Sequence, residues 1–184
     1  VRFDLPKKTG GVRTISAPMP FLKNAQYWIL HNILYKVTTH HLAHGFVPER
    51  SIKTNAEPHI GQDVVINMDL KNFFPALNYK RVKGMFKSLG YSQQMATIFG
   101  LLCTEPEMDK VTLDEETYFV AKGDRFLPQG APTSPMVTNI ICQKLDKRLS
   151  GLAKKFGFVY TRYADDLTFS ASGEAVEHVR KILW

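Results

Sequence analysis

The sequence predicts an α+β domain, and three observations carry that expectation. A Val/Ile-rich run at 63–70 reads as a strand. Apolar residues Val137, Ile141, Leu145, Leu149 and Leu152 recur at helical spacing over 134–155. Two short aromatic and β-branched runs, 158–163 and 167–170, flank Ala164-Asp165-Asp166 and read as a hairpin. Strands and helices that alternate and include an antiparallel hairpin belong to the α+β class. At 184 residues the chain can bury one core, or one core with a lobe. No internal repeat, low-complexity tract or domain linker interrupts it.

The apolar fraction of 44% and charged fraction of 22% are those of a soluble globular protein. A net charge of +7 points to a polyanionic partner, nucleic acid first and an anionic membrane surface second. No apolar run approaches the roughly 20 residues a membrane span needs, and no signal peptide opens the chain. Cys103 and Cys142 lie far apart in apolar helical patterns, as buried free thiols of a reducing cytoplasm do. The chain opens at Val1 rather than Met and stops at Trp184 inside a helix-like pattern, so it reads as part of a longer protein.

Residues 1–16 read as two strands around the bend Lys7-Lys8-Thr9-Gly10-Gly11, with Arg13 just beyond. Such a basic hairpin either grips phosphates or is simply solvated. Pro18 and Pro20 introduce a helix over 21–39 whose buried stripe is Leu22, Ala25, Ile29, Ile33 and Val37. His40, His41 and His44 lack the second ligand cluster that a zinc site requires. Ser51 caps a short helix over 52–60. Asn55 and His59 share one face of it, and the pattern favours polar anchoring of the helix to its neighbours.

In the strand at 63–70 near-continuous hydrophobicity suggests a central position. Asp69 closes that strand, where a carboxylate is costly unless paired or bound to a cation. Asn78 caps a helix over 79–89, and Ser92 caps another to about Cys103. The polar, acidic segment 105–116 reads as a loop or insertion. A short hairpin is expected from 117–121 and 125–127 around Lys122-Gly123-Asp124. Leu127-Pro128-Gln129-Gly130-Ala131-Pro132-Thr133-Ser134-Pro135 is a rigid loop feeding the N-terminus of the long helix, either a mere connector or a place where a ligand meets the backbone. Residues 173–184 begin a further helix.

Asp165 and Asp166 fall at the hairpin tip, where adjacent carboxylates repel and gain nothing structurally. With Asp69 beside them, three carboxylates converge at one sheet edge. Oxygen ligands of this kind suit Mg²⁺ or Mn²⁺, and a pair of such ions supports in-line phosphoryl transfer. Together with Lys7, Lys8 and Arg13 as triphosphate contacts, the set reads as a nucleotidyl transferase.

The sequence resembles the bacterial retron-type reverse transcriptases over essentially its whole length. Asp69-Leu70-Lys71-Asn72-Phe73-Phe74 matches their first catalytic motif. The 127–135 loop matches their primer-and-nucleotide loop, and Tyr163-Ala164-Asp165-Asp166 matches their catalytic turn. Asn55-Ala56-Glu57-Pro58-His59 resembles the Asn-Ala-x-x-His signature of the retron branch. The resemblance implies a right-hand polymerase fold, with fingers at 1–62, a palm at 63–184 carrying a fingers-type insertion near 79–125, and a thumb outside this chain. It implies catalytic Asp69, Asp165 and Asp166, two Mg²⁺ ions held by these and the Leu70 carbonyl, and a nucleotide pocket of Lys8, Arg13, Phe74, Gln129 and Gly130. Asn55, His59, Pro128 and Tyr163 would contact RNA template or primer. The implied partners are a structured non-coding RNA, dNTPs, the DNA product and an effector protein, with a role in phage defence. Rival readings are a group II intron, CRISPR-associated or abortive-infection reverse transcriptase, and a module of this fold that binds RNA without catalysis.

Overall fold

The computed structural model describes residues 2–6 and 10–183. In chain order the strands and helices are β1 (Arg2–Pro6), β2 (Val12–Ser16), α1 (Pro20–Asn32), α2 (Ile52–Ala56), β3 (Val64–Asp69), α3 (Tyr79–Ser88) and α4 (Gln93–Cys103). Then come β4 (Glu105–Leu113), β5 (Glu116–Phe126), α5 (Ser134–Lys155), β6 (Val159–Tyr163), β7 (Asp166–Ala171) and α6 (Val179–Leu183). Short 3₁₀ turns follow α1 and α2 and precede α6. No described helix is long and apolar enough to cross a membrane. The chain divides into two compact units, Val1–Lys36 with Phe74–Ser134, and Val37–Phe73 with Pro135–Trp184.

In the first unit β1 and β2 form an antiparallel hairpin from Arg2↔Ser16 to Pro6↔Val12. Helix α1 is shorter than its apolar repeat suggests and ends at Asn32. Leu22 is 37% exposed, whereas Gln26 is 2% exposed, because its amide Nε2 donates to the Leu102 carbonyl at 2.8 Å. Asn78 and Ser92 cap α3 and α4 by accepting from the backbone N–H of Arg81 and Met95. These helices bury Val82, Met85 and Phe86 with Ala96, Phe99 and Cys103, and the Phe86 and Phe99 rings lie 5.2 Å apart. Burial pushes the Cys103 thiol up to about 12, so it behaves as an inert core group.

The acidic segment expected to be a loop is instead strand β4, paired along its length with β5. Both faces of this hairpin are exposed, so no alternation of apolar and polar residues announces it. The turn lies at Asp114-Glu115, both with positive φ (50° and 65°), as a two-residue hairpin turn demands. Lys122-Gly123-Asp124 is no turn. Pairing jumps from Pro106↔Arg125 to Glu107↔Lys122, which leaves Gly123 and Asp124 as a bulge.

The second unit is built on an antiparallel sheet in the order β3-β7-β6. Strand β7, not β3, is central, and its residues Leu167–Ala171 are all buried. Strand β3 is an edge strand that turns Ile66 and Met68 toward the core and leaves Val65 47% exposed. Phe158, Tyr160, Leu167, Phe169 and Ala171 form the core with Ala153 of α5 and Ile182 of α6. At about 25 cal/mol per Å² of apolar surface, each large side chain buried there contributes roughly 1.5–3 kcal/mol.

Residues 42–44 run beside β6. The Arg162 N–H donates to the Leu42 carbonyl at 2.9 Å, and the His44 N–H donates to the Arg162 carbonyl at 2.7 Å. Within the core, Arg162 is 0% exposed and forms a bidentate pair with Asp146 of α5, Nε to Oδ1 at 2.7 Å and Nη2 to Oδ2 at 2.8 Å. The Tyr160 hydroxyl donates to the same Asp146 Oδ1 at 2.9 Å. Ser51 and Thr54 form a capping box at the start of α2. His59 just beyond it is 8% exposed, with Nδ1 2.6 Å from Ser170 Oγ and Nε2 2.8 Å from Thr161 Oγ1. These bonds tie the segment around α2 to β6 and β7.

Two stability predictions follow from the polar core. Asp146→Ala strands a buried guanidinium and should cost about 3–5 kcal/mol in chemical denaturation. A loss below about 1 kcal/mol would show that Arg162 does not depend on its partner. Burial, then the neighbouring His44, lowers the pKa of His59. The unfolded chain therefore takes up this proton at a higher pH than the folded one, so stability is full above about 6.5 and falls as pH drops below it. His40 and His44 shift the same way, so His59→Gln should flatten part of the acid-side fall in thermal midpoint. An unchanged slope would contradict this.

Candidate active site

Antiparallel register brings the three aspartates to one end of the β3-β7-β6 sheet. Asp69 closes β3 and pairs directly with Asp166, the first residue of β7, which also pairs with Tyr163 at the end of β6. The turn between β6 and β7 is therefore Ala164-Asp165, so only Asp165 lies at the tip where both aspartates were expected. The Leu70 N–H donates to the Asp165 carbonyl at 3.0 Å and ties the chain leaving β3 to this turn. Asp69 and Asp166 are exposed and Asp165 is half-buried.

The charges feel one another. Partial burial, then the charges of Asp165 and Asp69, raise the pKa of Asp166 above the usual carboxylate range. Among the described residues no group of three or more acidic, His or Cys side chains is already drawn together to hold an ion. Uncompensated carboxylates repel and stay apart, whereas Mg²⁺ is commonly held by only one or two of them together with substrate phosphates. An open, mutually repelling, solvent-reachable set of oxygen donors fits such a cation. The histidines do not form a competing site: the His40 and His41 rings stack at 4.6 Å, and His44 Nδ1 lies 2.9 Å from Thr54 Oγ1.

The residues expected to form the nucleotide pocket, Arg13, Phe74, Gln129 and Gly130, belong to the first unit. Arg13 is exposed on β2, opposite Leu5. The strand end grips the 127–135 loop, where the Ser16 N–H donates to the Gln129 carbonyl at 2.7 Å. Gly130 has φ +116°, and a Cβ there would sit 2.8 Å from Ile15 Cγ2 and 3.0 Å from the Ser16 carbonyl oxygen. Only glycine allows this approach. Gln129 is left half-buried. Ser134 Oγ donates to the Pro128 carbonyl at 2.6 Å, closing the loop onto the start of α5. Phe74 is half-buried, and its carbonyl accepts from the Leu77 N–H at 3.0 Å. Lys8 lies outside the described residues.

Two of the residues expected to contact RNA are enclosed in the fold. His59 and Pro128 are both buried, and both His59 nitrogens are engaged by hydroxyls. His59 pins α2 to the sheet because a short helix with no buried residue of its own needs such an anchor. Asn55 is half-buried, and its carbonyl accepts from Thr161 Oγ1 at 3.3 Å. Tyr163 is half-buried beside the aspartates.

Sequence reasoning missed Asp146 and Arg162. The available signal was a charge on the buried stripe of α5, since Asp146 falls four residues after Cys142 and seven before Ala153.

Residues 5–183 match the family described as reverse transcriptase (RNA-dependent DNA polymerase). The chain is 53% identical over 170 residues to the retron Mx162 reverse transcriptase of Myxococcus xanthus, covering 92% of this chain and 35% of that protein. It is 46% identical over 183 residues to the retron Mx65 reverse transcriptase of the same organism, covering 99% and 43%. Against the retron Ec86 reverse transcriptase of Escherichia coli it is 42% identical over 160 residues, covering 87% and 44%. The chain thus spans less than half the length of these relatives. Among solved structures, apo telomerase from Candida tropicalis superposes with a TM-score of 0.57 at 14% identity, covering 99% of this chain and 45% of that one. That likeness concerns the fold, and it agrees with the mixed helices and antiparallel sheets described above. With the family matched across nearly every residue, the chain belongs to the reverse transcriptase (RNA-dependent DNA polymerase) family.

Proposed function

We propose that this chain is the fingers-and-palm part of a retron-type reverse transcriptase that extends a primer on an RNA template. The observation that carries the reading is the register Asp69↔Asp166 with Asp165 at the adjoining turn, in a chain of this family. Residues 1–62 act as fingers and 63–184 as palm, with a fingers-type insertion near 79–125. The protein works in the cytoplasm on a structured non-coding RNA that serves as template and primer. An effector protein joins the finished complex.

Asp69 and Asp165 are the principal holders of two Mg²⁺ ions, with Asp166 and the Leu70 carbonyl assisting, and Mn²⁺ can substitute. Bound there, the ions supply Lewis-acid chemistry at the attacking and leaving oxygens of an in-line phosphoryl transfer. Burial, then the charges of Asp165 and Asp69, raise the pKa of Asp166, and a cation beside it would favour its ionised form. Lys8 and Arg13 grip the triphosphate, Gln129 and Gly130 shape the nucleotide pocket, and the Phe74 ring excludes a ribose 2′-hydroxyl. Asn55 and Tyr163 lie toward the RNA.

The test is dNTP incorporation on poly(rA)/oligo(dT) by the full-length protein with Mg²⁺. Asp165→Ala should lower the rate by roughly 10³-fold or more, because a charge contact of several kcal/mol is lost at each turnover. EDTA should abolish incorporation. Activity that survives both treatments would overturn the reading. In the same assay Phe74→Ala should admit ribonucleotides that the wild type rejects, and unchanged discrimination would remove Phe74 from the pocket.

A further inference from the structure

The left-handed residue in the carboxylate turn is not glycine. Ala164 has φ 58° and is 6% exposed, so its conformation is imposed from outside rather than preferred. Its carbonyl accepts from Arg162 Nη1 at 2.9 Å. The same Nη1 donates to Asn139 Oδ1 at 3.1 Å, and Asn139 Nδ2 donates to the Gly45 carbonyl at 2.8 Å. Gly45 closes the circuit, since a Cβ added there would lie 2.4 Å from the Ala164 nitrogen and 3.1 Å from the Tyr163 carbonyl carbon. Asn139 and Arg162 are both 0% exposed. The circuit joins three segments to the turn: α5 through Asn139, β6 through Arg162 and the strip at 42–45 through Gly45.

We infer that Asn139 and Gly45, acting through Arg162, are positioning residues that hold the Ala164 peptide in place and so set where Asp165 and Asp166 present their carboxylates. Neither touches the reacting atoms. Asn139 does this because its amide is bifunctional, with the oxygen facing the guanidinium and the nitrogen facing the Gly45 carbonyl. Gly45 does it because its missing side chain lets the backbone press against the turn. The inference rests on the proposed reading of the aspartates as cation holders.

The experiment measures Mn²⁺ binding by electron paramagnetic resonance on the full-length protein without nucleic acid, alongside the Mg²⁺ dependence of incorporation. Partners that orient metal-binding side chains typically carry about 10–100-fold in affinity. Asn139→Ala should therefore weaken Mn²⁺ binding by about tenfold or more, lower kcat, and leave the KM for dNTP within about twofold. Gly45→Ala should shift both readouts the same way although it removes no hydrogen-bonding group. Leu149→Ala, which trims the core of the same unit away from the turn, controls for lost stability and should leave Mn²⁺ affinity unchanged at a temperature where all variants are folded. Wild-type Mn²⁺ affinity in Asn139→Ala and Gly45→Ala, or an equal loss in Leu149→Ala, would overturn the inference. If the wild type binds Mn²⁺ and the variants lose it while no protein incorporates dNTPs, the positioning role stands and the polymerase reading fails. If Asp165→Ala binds Mn²⁺ as well as the wild type does, the aspartates are not the cation site and the inference fails with them.

Discussion

The second unit depends on one guanidinium. Burying Arg162 completely is costly, and a lone charge of this kind would unfold the sheet around it. Burial works against its charge, but the hydrogen bonds and the charge of Asp146 outweigh that, so its pKa is raised. The planar fork matters as much as the charge. Nε and Nη2 take both Asp146 oxygens while Nη1 reaches Asn139 and Ala164, a spread that a lysine ammonium cannot reproduce. The backbone of the same residue holds the strip at 42–44 on both sides. One residue therefore ties a helix, a strand, a turn and a neighbouring segment, and replacing its partner leaves a buried charge rather than a cavity.

That arrangement explains how a site made of repelling carboxylates can persist. Asp69 and Asp166 are brought opposite each other by pairing that runs from Val64↔Ala171 to Asp69↔Asp166. A slip of one residue would put Thr168 and Ser170 where Leu167, Phe169 and Ala171 pack in the core, so the core holds the register and the register holds the site. The aspartates contribute nothing to this stability. They occupy the end of a sheet whose order is secured elsewhere, which is how rigid elements come to carry strained or repulsive groups.

Much of this was legible in the sequence, and the residues show why. The bounds of α5 follow from its apolar repeat and from Ser134-Pro135. The strands around Ala164-Asp165 follow from their aromatic and β-branched content, and Asp69 stood out because a carboxylate at the end of an apolar strand needs a reason. What escaped was information that sequence neighbours do not carry. The β4-β5 hairpin is exposed on both faces, so it has no apolar period, and its turn uses Asp114-Glu115 where Gly or Asn would have signalled it. Strand β3 read as central because Val64, Val65 and Ile66 are all apolar, yet its edge position leaves Val65 in water. The buried stripe of α1 passes through Gln26 rather than Leu22 because a carbonyl 76 residues away accepts from its Nε2. His59 drew attention as a motif residue, while its partners, Thr161 and Ser170, are visible only once the sheet is assembled.

The division of labour between frame and site also sets how the site responds to charge. The pKa of Asp166 is raised by burial and then by the charges of Asp165 and Asp69. A cage built to bind an ion without substrate would relieve that repulsion in advance, with more ligands drawn inward and held. Here the frame supplies only position, and the three carboxylates stand open to water. An oxygen set of this kind gains most when cation and phosphate arrive together, since the phosphate completes the coordination that the protein leaves unfilled. Openness and rigid backbone support are therefore two sides of one requirement. The donors must be free to receive a charged pair, and their backbones must not move while they wait.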